Sequence, residues 1–332
     1  MKMRLGKVLL ALAVLVPSVV GAQPPALTEA ERALIDAVPS ESTPEPELHY
    51  PVSNEWRHDL WFDAIRDLGG AFLGVGSDQS YTLAAVQNAS LIWIVDYDAV
   101  VRHVHRMYAV LVPASPSPEA LLARFDEGAE DETRALLERE LAGDPEQRAV
   151  VRAYLRSRAR FRAYLGRVSR LEREGAPTSW LSDPALYGRI RALFAAGRVI
   201  ARTGDVGGTT TLRAVGEATR RLGLPVRVLY FSNAEQFFAY TGEFTTNFES
   251  LPTDERSIVL RTFRSPGAPY PRRDSWHYLV EGVTDFRERL ALGYRRAAQI
   301  VNDAIATGLD PSGASRIDER TRRRDRPRRR ER

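Results

Sequence analysis

Leu73-Gly74-Val75-Gly76-Ser77-Asp78-Gln79 places two glycines where an apolar run, Ala71 to Val75, gives way to a helical spacing. Glycines let backbone approach a ligand closely, and the start of a helix offers free N–H groups. About 20 residues on, Leu91-Ile92-Trp93-Ile94-Val95 ends at Asp96-Tyr97-Asp98. A carboxylate at that point can accept hydrogen bonds from ribose hydroxyls. The third glycine of a dinucleotide fingerprint is missing, and Asp78 at the helix start would repel a pyrophosphate. The pattern therefore suits a nucleoside without phosphates, such as an S-adenosylmethionine-like ligand, better than a dinucleotide. Gly74, Gly76, Asp78, Gln79, Asp96 and Asp98 are the candidate ligand-binding residues of this half; the competing reading gives the glycines only a tight turn.

Two later segments have the same character. Arg198 to Ala201 leads through Thr203-Gly204 to Asp205, and Val226 to Phe231 runs into Ser232-Asn233-Ala234-Glu235. Asp205, Ser232, Asn233 and Glu235 thus also fall just past apolar runs. Helix capping by Ser232 or Asn233, and by Ser53 or Asn54 in Ser53-Asn54-Glu55, is the alternative role. Asp96, Asp98, His103 and His105 invite a metal. The two histidines, however, stand two apart on a helix, about 200° around its axis, and no metal is expected. No Gly-x-Ser-x-Gly elbow occurs, which argues against a serine hydrolase of that type. Catalytic residues are not assigned.

Composition closes other routes. The chain has 332 residues and no cysteine. Disulfides, thiolate metal sites and cysteine nucleophiles are excluded. Its only lysines are Lys2 and Lys7. Beyond them there is no lysine for a pyridoxal-phosphate Schiff base or a P-loop.

The elements that must position these residues alternate. Trp56 to Leu68 is amphipathic. Apolar strands at 71–75, 91–95, 198–201, 226–231 and 257–263 are separated by helical spacings at 77–88, 100–112, 209–222 and 285–307. Continuous apolar strands between helices predict a mostly parallel sheet covered on both faces, a Rossmann-like α/β domain over residues 51–310. Residues 117–197 form a helical insert. Ser117-Pro118, Asp144-Pro145 and Asp183-Pro184 each read as a cap followed by proline at the first helical position. The longest insert helix carries Val151, Tyr154, Leu155, Phe161, Leu165, Val168 and Leu171 on one stripe, and arginines on the other face.

Met1 to Ala22 reads as a signal peptide: a basic start, an apolar stretch, and Val20-Gly21-Ala22 before the expected cleavage. The expected location is periplasmic or secreted. Residues 23–50, rich in Pro, Glu and Ser, read as a disordered linker, with Thr28 and Glu31 offering one capping box. Residues 311–332 read as a disordered Arg-rich tail, with ten arginines and four acids in 316–332. Subtracting this tail and the +3 of the signal segment from the overall +4 leaves −5 for the rest. The tail suits an anionic envelope surface; nucleic acid is not an expected partner.

Beyond these features, Ser53-Asn54-Glu55, the series from Gly69 to Thr82, Ile94-Val95-Asp96, Gly204-Asp205, Tyr230 to Gln236 and Leu251 to Ser257 occur in an order that resembles an uncharacterised family of bacterial secreted proteins. The resemblance implies a methyltransferase-like Rossmann fold and no particular activity. Asp78 stands where the family usually has Glu, Ser80 where it has Asn, and Asp98 where relatives often carry Arg. Two functions follow as expectations. One is a cell-envelope binding or structural protein using the cleft at the strand carboxyl ends. The other is an S-adenosylmethionine-dependent, methyltransferase-like enzyme or adenosyl-ligand binder.

Overall fold

The computed structural model describes residues 24–318. Its main sheet has seven strands: β1 (Ala71–Gly74), β2 (Leu91–Asp96), β3 (Val199–Thr203), β4 (Val226–Ser232), β5 (Ile258–Phe263), β6 (His277–Gly282) and β7 (Ala314–Ile317). They lie in the order β3-β2-β1-β4-β5-β6-β7. The first five strands are mutually parallel. β6 runs antiparallel to β5, and β7 parallels β6. This is a Rossmann-like α/β fold, as the alternating pattern predicts. The strand order reverses between β1 and β4, which is where such sheets open a crevice at their carboxyl ends.

The helices of eight or more residues are α1 (Glu29–Asp36), α2 (Gln79–Gln87), α3 (Ala99–Leu111), α4 (Glu130–Glu140), α5 (Gln147–Val168), α6 (Pro184–Ala195), α7 (Thr211–Arg221), α8 (Gly242–Ser250), α9 (Val283–Ala291) and α10 (Ala297–Thr307). Successive strand residues feed opposite faces. Phe72, Ile92, Ile94, Val228, Tyr230 and Leu260 pack with α2 to α6. Leu73, Trp93, Val95, Leu229, Phe231 and Val259 pack with α1 and α7 to α10. Both faces are thus apolar, which is why these strands read as unbroken hydrophobic runs. Each fully buried aliphatic or aromatic side chain contributes roughly 1.5–3 kcal/mol.

Several boundaries differ from expectation, each for a local reason. The stretch 285–307 is two helices, because Gly293 at φ 89° breaks the chain between α9 and α10. Asp144 does not cap α5, whose N-cap is Glu146. Asp144 instead binds Arg106 and accepts the Glu146 N–H at 2.8 Å. Leu155, counted in the buried stripe, is 38% exposed. Residues 314–317, assigned to the tail, are β7. Their backbone completes the sheet against β6, and Ile317 enters the core. The signal segment and residues 319–332 lie outside the described residues, among which no helix is long and apolar enough to cross a membrane.

Candidate functional site

The carboxyl ends of β1 to β5 share one edge, so Gly74, Asp96, Asp205, Ser232 and Asn233 all reach the same rim of the sheet. With Glu235, their hydrogen bonds fall into three groups along the edge.

The first group is the glycine turn. Gly76 has φ 78°, the left-handed region that favours glycine. Its N–H donates to Asp96 Oδ2 at 2.7 Å, and the Asp98 N–H donates to Oδ1 at 2.9 Å. The Gly76 carbonyl meets His105 Nε2 at 2.8 Å, while Nδ1 faces the Tyr81 hydroxyl. One neutral tautomer satisfies both contacts: Nε2–H donates to the carbonyl and Nδ1 accepts from the phenol. Burial pushes His105 down to about 4, against a smaller opposing effect of the Gly76 carbonyl. Burial likewise raises Asp96, opposed by the Asp98 and Gly76 amides, with the Asp98 charge adding to the rise. Gly74 has a packing reason, since a Cβ there would sit 2.6 Å from the Phe72 ring. Asp78 is wholly buried; its carboxylate accepts from Trp180 Nε1 at 2.9 Å and from Ser77. It ties the start of α2 to the insert. Burial raises its pKa despite these donors.

A strap runs over this end of the edge. Residues 39–50, expected as a disordered linker, instead pair with the exposed backbone at the ends of β2 and β3. Glu41 N–H donates to the Thr203 carbonyl at 2.9 Å. Its carboxylate accepts the N–H groups of Asp205 at 3.0 Å and Thr210 at 2.9 Å, just before α7. Thr43 donates to the Tyr97 carbonyl at 2.6 Å, and His49 Nδ1 lies 2.9 Å from Asp98 Oδ2. Ser77 donates to the Pro51 carbonyl at 2.7 Å. Asp205 itself accepts from Gly207 N–H at 2.8 Å. A run poor in apolar residues gave no packing signal; its order comes from polar pairing with the sheet edge. The Thr28–Glu31 capping box does form, at the start of α1.

The second group fills the switch point. Glu55 is 2% exposed. It accepts from Tyr230 at 2.6 Å, from Thr262 at 2.6 Å and from Ser232, and lies 3.2 Å from His58 Nε2. Burial works to raise its pKa, but His58, Ser232 and Thr262 together hold it below the usual glutamate value. Ser232 reaches Glu55 because it adopts φ 54° where the β4–β5 register shifts. Gln79 Nε2 approaches the Tyr230 hydroxyl at 3.4 Å. Asn233 contacts Ser232 through Oδ1 at 3.5 Å. Serine and histidine both contact the carboxylate here, so this is not the serine–histidine relay that a hydrolase needs. The space between β1 and β4, lined by Gly74, Val75, Tyr230 and Phe231, is about 10 Å³, roughly one water molecule.

The third group lies at β4 and β5. Glu235, 3% exposed, pairs with Arg261 Nε at 2.6 Å and accepts from Tyr240 at 2.8 Å. Arg261 continues to Glu281 on β6, and Glu281 to Arg289 on α9. Burial raises Glu235 even though Arg261 opposes it. For Arg261, burial works downward, and Glu235 and Glu281 overcome it to hold the guanidinium charged. Beside this relay the edge opens into a cavity of about 330 Å³, bordered by Glu235, Arg261, Phe263, Arg264, Arg296 and Val301.

The glycines and spaced acid were legible in sequence; their mutual saturation was not. Glu55 stood out only as part of a polar cluster; His58 is three residues away, but its partners Tyr230, Ser232 and Thr262 come from distant segments. Arg261 carried no signal, lying inside an apolar strand. No curated protein matches the sequence. A family model described as a domain of unknown function, DUF7790, matches residues 50–318. That span takes in the glycine turn, the Glu55 cluster and all seven strands, and the chain belongs to the DUF7790 family.

Proposed function

We propose that the protein is an exported cell-envelope binding protein that holds its ligand at the carboxyl edge of the sheet, outside the glycine turn. One observation carries this reading. The polar atoms a nucleoside would use, the Gly76 amide and both Asp96 oxygens, are already bonded within the chain, while about 330 Å³ stands open beside β4 and β5. A ligand site of that size falls in the ordinary range for small molecules. Export rests on the basic and apolar pattern of residues 1–22, and the arginines of 319–332 give the chain an attraction to anionic envelope surfaces.

A thermal-shift screen against S-adenosylmethionine, S-adenosylhomocysteine, adenosine and NAD tests the reading. None of these should raise the Tm of the wild-type protein. Stabilisation by an adenosyl compound that disappears in Asp96→Ala would replace the proposal with the methyltransferase-like alternative.

A further inference from the structure

We infer that the cavity beside β4 and β5 is a binding site for a small organic anion: a carboxylate or phosphate group on an apolar body. This rests on the reading of the carboxyl edge as a binding edge and specifies what it binds.

The charge balance of the lining selects the sign. Arg261, Arg264 and Arg296 border the cavity, against one carboxylate, Glu235. Glu235 and Arg261 are paired and buried. Arg264 and Arg296 are both exposed, and among the described residues neither guanidinium has a carboxylate within 4.0 Å. Arg264 is held by a 3.3 Å bond to the Ser275 carbonyl and by the face of Trp276, 5.5 Å from its centroid. Both contacts fix the side chain without neutralising it. Arg296 immediately precedes α10, whose first residues Ala297 and Ala298 also border the cavity. The first turn of a helix leaves amide N–H groups without intrahelical partners and adds a partial positive charge. Two unneutralised guanidinium groups and a helix start at one opening favour an anion, and guanidinium matches carboxylate and phosphate oxygens in paired hydrogen bonds.

The rest of the lining selects the body. Phe238, Phe263, Ala297 and Val301 present hydrocarbon. A bare inorganic ion would leave that surface wet, whereas an alkyl or aryl group would cover it. Glu235, the one acidic group here, is committed to Arg261 and Tyr240. It therefore offers little attraction to a cationic ligand.

The probes are octanoate and phenyl phosphate, with octan-1-ol and inorganic phosphate as controls, titrated by calorimetry at low salt into the full chain. Both organic anions should bind with Kd below about 1 mM, and each control at least about tenfold more weakly. The double variant Arg264→Gln/Arg296→Gln should lose about tenfold or more for the anions, with an unchanged Tm because both side chains are exposed. Arg221→Gln, an exposed arginine on α7, should bind like wild type. Ala298→Trp, which places a bulky ring at the border, should block binding. Octan-1-ol binding as tightly as octanoate, yet blocked by Ala298→Trp, would overturn the anion assignment and leave the binding edge standing. Octanoate binding untouched by Ala298→Trp, or no binding by any probe, would overturn both the assignment and the cavity's support for that edge.

Discussion

The Gly76 N–H donates to Asp96 Oδ2 at 2.7 Å, so the acid that ends β2 holds the turn that follows β1. The two residues are 20 apart in sequence, the spacing at which an acid in such folds meets a ribose. Here the same spacing closes a backbone contact between adjacent strand ends. Asp96→Ala leaves two amides, Gly76 and Asp98, without their acceptor. We expect a loss of about 2–4 kcal/mol from these orphaned donors, read by urea denaturation. A loss below about 0.5 kcal/mol would mean that water replaces the carboxylate and that the contact does not hold the turn.

His105 locks the other side of the same turn, and its titration gives a pH signature. The ordinary value is 6.5 and the folded value about 4, chiefly because the ring is buried. Between these values the unfolded chain takes up a proton that the folded chain resists. The stability this group confers is therefore complete above about pH 6.5 and is lost as pH falls toward 4, by up to about 1.4 kcal/mol per unit. His105→Gln keeps an N–H for the Gly76 carbonyl and removes the titration. The difference in unfolding free energy between wild type and variant should fall by a slope of about one proton across that window. Parallel curves would show that His105 takes up its proton without opposing the fold.

Glu55 gathers Tyr230, Ser232, Thr262 and His58 around one buried carboxylate. It joins the segment before β1 to β4 and β5. Glu55→Gln turns one acceptor oxygen into a donor facing hydroxyl donors. Breaking a buried charged network of this kind costs about 3–5 kcal/mol. Chemical denaturation should register that loss with the secondary structure preserved in native buffer. An unchanged midpoint would mean the hydroxyls have other partners in solution.

What could be read in the sequence follows from what each element depends on. β2 and β4 announced themselves because both their faces are buried, and α1 because Thr28 and Glu31 cap it locally. β6 and β7 did not. His277 and Glu281 are buried polar residues that cut the apolar run of β6 to Tyr278-Leu279-Val280, and β7 has only Ile317 in the core, so neither presents a long apolar run. Their place depends on ladder pairing with distant strands. The candidate site shows the same division. Gly74, Gly76 and Asp96 follow a local spacing, and they stand at or just past the ends of β1 and β2. Arg261 and Glu281 acquire their role only when β5 and β6 meet, and Glu41 only when the strap reaches the start of α7.

That strap contact can be tested from both sides. Glu41 accepts from Asp205 and Thr210, and a Cβ on Gly208 would lie 2.6 Å from Glu41 Oε1. Glu41→Ala removes the acceptor, and Gly208→Ala pushes the carboxylate away. Both should speed amide exchange over residues 203–210 while leaving the exchange of β4 unchanged, with a global cost of about 1 kcal/mol. Exchange at Asp205 and Thr210 that matches wild type in both variants would show that the strap does not protect this loop.

The basic segment 319–332 follows β7 in sequence. β7 finishes at Ile317, and Arg289 Nη2 donates to the Asp318 carbonyl at 3.0 Å. A truncation meant to isolate the basic segment must therefore follow Asp318; a cut after Ser315 would remove half of β7 and confound folding with binding. Residues 319–332 carry nine arginines and three acids. Each arginine near an anionic membrane contributes roughly 1 kcal/mol, and the attraction fades over about 8 Å at physiological salt. The chain ending at Asp318 should keep the Tm of the full chain and bind phosphatidylglycerol-containing vesicles at least about tenfold more weakly at low salt, with the difference shrinking as salt rises. Equal vesicle binding by the two chains would remove the anionic surface as the partner of this segment.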